Sequence, residues 1–171
     1  METYRKITNG LDKIVTWICI LLFSIMVFAA GAQILARYVI GNSLEWSEEL
    51  ARYMFIWSVL LGSSMVAKRR GHVGVEIVMM SLPEKIRNYA TVLADVLSMV
   101  FYGIIIVKGI EVSQVTMMQF SPANEIRMGL VYASIPVSGI IMMFYTIEHL
   151  IEDLKKLSAT PTSASLAQGG K

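Results

Sequence analysis

The chain has 171 residues, of which 55% are hydrophobic and 16% charged, with a formal net charge of +2. Soluble domains carry about a quarter charged residues, so this composition excludes an ordinary helical bundle in water. The small charge and the absence of any nucleic-acid motif exclude an electrostatic binder of DNA or RNA, and the single cysteine, Cys19, excludes an internal disulfide.

The first predicted element is an apolar run over residues 14–36 that contains no charged side chain. A hydrocarbon layer of about 30 Å is crossed by about 20 residues of helix at about 1.5 Å per residue, so this run predicts a membrane span. It is too long for the core of a cleaved leader, and no cleavage is expected. Gln33 is its polar residue near the far end, able to pair through neutral hydrogen bonds, and Gly31 and Ala32 offer close helix approach within the bundle or against a partner.

Gly41 then opens a turn, and Asn42 or Ser43 is expected to cap the next helix, with Asn42 and Glu45 at capping-box spacing. Glu48 and Arg52, one turn apart, predict an ion pair that eases Arg52 at the membrane edge. Trp46, Glu48, Glu49 and Arg52 fit two readings, acids complementing a helix dipole or a contact for a partner subunit, and the sequence leaves both open. The second span covers residues 50–67, with Trp46 extending it into the headgroup layer.

A basic cluster follows: Lys68, Arg69, Arg70 and His72, with Lys85 and Arg87 beyond it. These are candidates for lipid headgroups and for fixing topology. Residues 73–82 are too short to span and predict a helix lying in the cytoplasmic interface. The third span, residues 89–107, contains Asp95, with Thr91 and Ser98 one turn to either side as hydrogen-bond partners. An ionisable residue inside a span is the default place to seek a transport pathway, and for Asp95 the sequence leaves open pairing with a partner helix or simply reaching the interface. Lys108 and Glu111 predict a second edge pair.

The fourth span covers residues 128–147, where Pro136 and Gly139 are placed to kink it and Ser134 and Ser138 make only a thin polar lining. Residues 158–171 read as a mobile tail, leaving residues 1–157 as one membrane domain. Lysine and arginine concentrate before span one, between spans two and three, and after span four, so the positive-inside rule puts both termini in the cytoplasm. The predicted fold is an all-α integral membrane protein with four transmembrane helices. No catalytic nucleophile with its base, phosphate loop or paired catalytic carboxylates is present, and His72 and His149 lie outside the spans, so no enzyme activity and no haem, zinc or other cofactor is expected.

The run Trp46-Ser47-Glu48-Glu49-Leu50-Ala51-Arg52-Tyr53, the span ending in Lys68-Arg69-Arg70-Gly71-His72, the Leu82-Pro83 pair, and Phe120-Ser121-Pro122-Ala123 followed by Met128-Gly129-Leu130-Val131-Tyr132-Ala133-Ser134-Ile135-Pro136 resemble the small membrane subunit of tripartite ATP-independent periplasmic (TRAP) transporters. Residues Asn124-Glu125-Ile126-Arg127 are more polar than that connection requires. The resemblance implies a scaffold subunit in a bacterial inner membrane. Its partners would be a large membrane subunit that holds sodium and substrate and moves as an elevator, and a periplasmic substrate-binding protein that delivers an organic acid such as sialic acid or a C4-dicarboxylate. It makes Trp46, Glu48, Glu49, Arg52 and Arg127 the candidate contacts, with phospholipids around the spans. The competing expectations are a self-contained proton-coupled drug exporter using Asp95, and a structural membrane protein with no transport role.

Overall fold

The computed structural model describes residues 2–42, 44–69 and 84–159. The in-plane helix expected over 73–82, the basic residues Arg70 and His72, and the tail beyond 159 lie outside the described residues, as does the side chain of Lys85. The described chain is helical: α1 (Glu2–Leu35), which runs into a π-helical turn (Ala36–Ile40), then α2 (Glu45–Lys68), α3 (Glu84–Val115), a 3-10 turn (Thr116–Met118), α4 (Met128–Tyr132) and α5 (Ser134–Ala159). Among the described residues, four helices are long and apolar enough to cross a membrane, over Tyr4–Ile40, Glu45–Lys68, Ile86–Met118 and Met128–Lys155.

Length fixes how each helix sits. The 34 residues of α1 rise about 51 Å, well beyond a core of about 30 Å, so its charged start with Arg5, Lys6 and Lys13 projects past the hydrocarbon. Thr8, Val15, Ala29 and Ala36 are its buried residues, spaced by sevens, with Leu22 partly buried between them. That repeat keeps one seam turned toward α2, and its alanines let the two backbones approach.

The turn after α1 departs from the predicted capping. The helix ends in a π turn closed by Gly41 at φ 74°, whose N–H reaches the Ala36 carbonyl, a left-handed position that suits glycine. The cap position of α2 is occupied by Leu44, which has no side-chain acceptor, so the Asn42 cap and the Asn42–Glu45 box do not form, while Ser43, the other expected cap, lies outside the described residues. Gln33 takes over the task from α1: its Oε1 accepts from the Leu44 N–H at 2.9 Å and from the Ser47 hydroxyl at 3.0 Å.

The helices form an open series rather than a closed bundle. α1 packs on α2, α2 on α5, and α5 on α3, while α1 meets α5 only marginally. Among the described residues α2 and α3, consecutive in the chain, do not pack on each other. Half of the membrane window of α5 is buried, against 28% in α2, 11% in α1 and 6% in α3, which makes α5 central and α1 and α3 the flanks.

The contact of α3 with α4 and α5 depends on glycine. A Cβ on Gly109 would lie 2.8 Å from Pro136 Cδ, one on Gly139 would lie 3.0 Å from Ile106 Cγ1, and one on Gly129 would run into the Ser113 carbonyl. Gly31, expected to serve close packing, has open space beside it. The predicted disturbance of the fourth span falls at Ala133, between α4 and α5: Pro136 has no N–H to give the Tyr132 carbonyl, and the ladder resumes with Val137 N–H to Ala133 O at 3.2 Å. Ser134 and Ser138 are buried, but their hydroxyls donate to Val131 O and Ile135 O of their own helices, so they offer no polar lining.

Candidate partner interface

At the end of the molecule opposite the chain termini, a buried carboxylate organises the surface. Glu49 is 8% exposed. Its Oε1 accepts from the Tyr53 hydroxyl at 2.8 Å, one turn along α2. Its Oε2 accepts from the Asn124 backbone N–H at 2.7 Å, the Asn124 side-chain amide at 2.9 Å and the Ala123 N–H at 3.3 Å. The Asn124 amide also donates to the Trp46 carbonyl at 2.9 Å, so the loop between α3 and α4 is stitched to the first turn of α2. Carboxylates that accept several N–H donors make strong charge-assisted bonds, and this one holds the loop where sequence-distant residues meet.

The loop is itself shaped. Phe120 pairs with Arg127 as an antiparallel bridge, the Ser121 N–H reaches the Ile126 carbonyl at 2.9 Å and the Met128 N–H reaches the Gln119 carbonyl at 2.9 Å. Buried Ser121 accepts from the Ile126 N–H at 3.1 Å, and Glu125 turns the chain at φ 52°. The polarity of Asn124 to Arg127 therefore has a structural use: Asn124 satisfies Glu49, and Arg127 lies over the Phe120 ring at 5.9 Å.

The five expected contact residues separate into two groups. Glu49 is turned inward and occupied by the chain's own loop, which removes it from the outer face. Trp46 is 47% exposed, and Glu48, Arg52 and Arg127 are exposed beside it. The expected Glu48–Arg52 pair forms at 3.1 Å with both side chains mostly in contact with the surroundings. Its strength is modest at that exposure. Lys108 and Glu111 pair at 2.7 Å at the same end.

The opposite end carries the basic residues. Arg5, Lys6, Lys13, Arg69, Arg87 and Lys155 are exposed there. Lys68 differs from the headgroup role expected of it: its ammonium donates to the Thr8 carbonyl at 2.8 Å and to Asn9 Oδ1 at 2.8 Å, tying α2 to the start of α1. Asp95 lies half-buried in α3, and the Thr91 hydroxyl, expected to serve it, donates instead to the Arg87 carbonyl at 2.9 Å. Gln33, expected to pair through neutral hydrogen bonds, is the cap of α2 described above. Among the described residues no group of three or more His, Cys, Asp or Glu is arranged to hold a metal ion.

Comparison with known proteins bears on this arrangement. The family model described as tripartite ATP-independent periplasmic transporters, DctQ component, matches residues 26–156. The sialic acid TRAP transporter small permease protein SiaQ of Vibrio cholerae is 30% identical over 166 residues, covering 97% of this chain and 94% of that protein. The sialic acid TRAP transporter permease protein SiaT of Haemophilus influenzae is 30% identical over 138 residues, 81% of this chain but only 22% of that longer protein. The C4-dicarboxylate TRAP transporter small permease protein DctQ of Vibrio cholerae is 28% identical over 90 residues, 52% of this chain and 39% of that protein.

Proposed function

The chain belongs to the DctQ-component family of TRAP transporters, as a small permease subunit and not an enzyme, and from that premise we propose that it is the fixed scaffold of a sodium-coupled importer of an organic acid. It is a multi-pass protein of the inner membrane. In this reading a large membrane subunit binds sodium and substrate and carries the substrate across by an elevator movement, and a periplasmic binding protein delivers the acid.

The observation that carries the proposal is the open series of helices. A solute carrier needs a polar path near the bilayer midplane, whereas here the buried hydroxyls of Ser64, Ser134, Ser138 and Thr146 are bonded to carbonyls of neighbouring turns. The apolar flanks of α1 and α3 leave broad faces for lipid and for a larger subunit. The likeness of this chain to a minor part of a longer TRAP permease, 30% identical over 138 residues, supports a large partner working beside it. Relatives named for sialic acid and for C4-dicarboxylates support an organic anion as cargo.

The orientation follows from charge. Arg5, Lys6, Lys13, Lys68, Arg69, Arg87 and Lys155 share one end, which the positive-inside rule assigns to the cytoplasm. Trp46, Glu48, Arg52 and Arg127 then face the periplasmic side, as the contact for the large subunit or the binding protein. Residues 1–157 act as one membrane domain in this reading.

Sodium-dependent uptake of sialic acid and of C4-dicarboxylates in proteoliposomes tests the reading. Uptake is expected only when this chain, its large subunit and the binding protein are all present. Uptake by this chain alone would overturn it in favour of a self-contained carrier and direct attention to Asp95; full uptake without this chain would leave it a structural protein.

A further inference from the structure

The basic end of the molecule holds a buried polar cluster that the transport reading does not use. Three helices meet there. Lys68 of α2 is bonded to Thr8 and Asn9 of α1 and lies over the Tyr145 ring of α5, with its ammonium 5.2 Å from the ring centre. One turn beyond Thr8, Asp12 has a carboxylate oxygen, Oδ1, that is shut off from solvent and has no hydrogen-bond partner. Tyr145 is 0% exposed, and its hydroxyl also has no partner. The charges of Asp12 and Glu148 both reach that hydroxyl.

An acceptor that lacks a donor and a hydroxyl that lacks an acceptor thus sit in one cluster without a direct bond between them. Each is costly when buried alone, and native interiors rarely leave such groups unmet. The chemistry between them narrows what can fill the gap. An anion would face the carboxylates of Asp12 and Glu148, and a cation would face the ammonium of Lys68. A neutral molecule that both donates and accepts satisfies both atoms, and buried waters commonly make two to four such bonds.

We propose that this site binds a single buried water, which accepts from the Tyr145 hydroxyl and donates to Asp12 Oδ1. The water joins α1 to α5 across the end of α2. It acts where those two helices have little other contact, beside the bond from the Tyr4 hydroxyl to the Phe144 carbonyl at 2.8 Å. Lys68 forms the third wall of the site, through its bonds to Thr8 and Asn9 and its position over the Tyr145 ring.

A double-mutant cycle on the full-length purified chain tests this, read as the midpoint of thermal unfolding. Tyr145→Phe and Asp12→Leu are each expected to lower the midpoint by about 3–6 °C, because each removes one partner and leaves the other buried, while the double variant falls no further than the worse single one. Asp12→Asn, which keeps an acceptor oxygen, is expected to shift the midpoint by less than half as much as Asp12→Leu. An unchanged or raised midpoint for Tyr145→Phe, or strictly additive losses, would overturn the proposal. So would an experimental map of the assembled transporter, at a resolution that shows waters, in which Tyr145 bonds directly to Asp12.

Discussion

Glu49 and its neighbour Glu48 show how much one helical position changes the meaning of an acid. Glu48 points outward and pairs with Arg52, so replacing both by alanine removes an exposed pair and leaves the fold intact. The double variant is expected to express and melt as the wild type while losing uptake or co-purification with the large subunit. Glu49→Ala instead frees Tyr53, Asn124 and the Ala123 N–H together. It is expected to lower the thermal midpoint and expose the 119–127 loop to protease in the isolated chain, before any partner is added. Asn124→Ala tests the same knot from the loop side: two side-chain bonds are lost, with a destabilisation of about 1–3 kcal/mol, measurable by denaturant titration. In the sequence only the spacing to Arg52 marks Glu48, and nothing local puts Glu49 inside; the arrival of Asn124, 75 residues later, does.

At the scale of the helices, composition marks where spans lie but not which surfaces touch. The four apolar runs and the Glu48–Arg52 and Lys108–Glu111 pairs are local, set by spacing along one helix, and are legible for that reason. The cap of α2 by Gln33 and the tie from Lys68 to Thr8 are tertiary, and no periodicity announces them. The same limit explains Gly31. A glycine inside a span permits close approach, but whether a neighbour comes is decided by the order of helices. The seam of α3 with α4 and α5 uses Gly109, Gly129 and Gly139 instead, the last two flanking Pro136 in the fourth span. Gly129→Ala would force its new methyl against the Ser113 carbonyl, with an expected loss of about 1–3 kcal/mol. Gly31→Ala meets nothing and should be neutral or mildly stabilising through helix propensity. Thermal midpoints of the two variants, measured side by side in detergent, check the contrast.

For the whole molecule, the open series is the property that sequence order conceals. Four consecutive spans suggest an up-and-down bundle in which each helix touches the next, yet α2 and α3 pack on either side of α5. With axes about 8–10 Å apart, four helices side by side make a slab about 30–40 Å wide rather than a compact rod. Such a slab has little core, and its described buried cluster is correspondingly small, Ala67, Tyr102 and Met142 with Met143 against them. Its apolar faces are left broad, which fits the proposed scaffold beside a larger subunit. Cysteine cross-linking in a Cys19→Ser background distinguishes the two arrangements. A pair at Gly103 and Met143, where a Cβ added to Gly103 would lie 3.9 Å from Met143 Cε, is expected to cross-link across α3 and α5 on oxidation. Pairs between the exposed positions Phe55, Val59 and Val66 of α2 and Leu97, Phe101 and Ile104 of α3 are expected to remain unlinked, because α5 stands between those helices. Efficient α2–α3 cross-links within one chain would mean a closed bundle, and the broad faces on which the scaffold reading relies would then be lost.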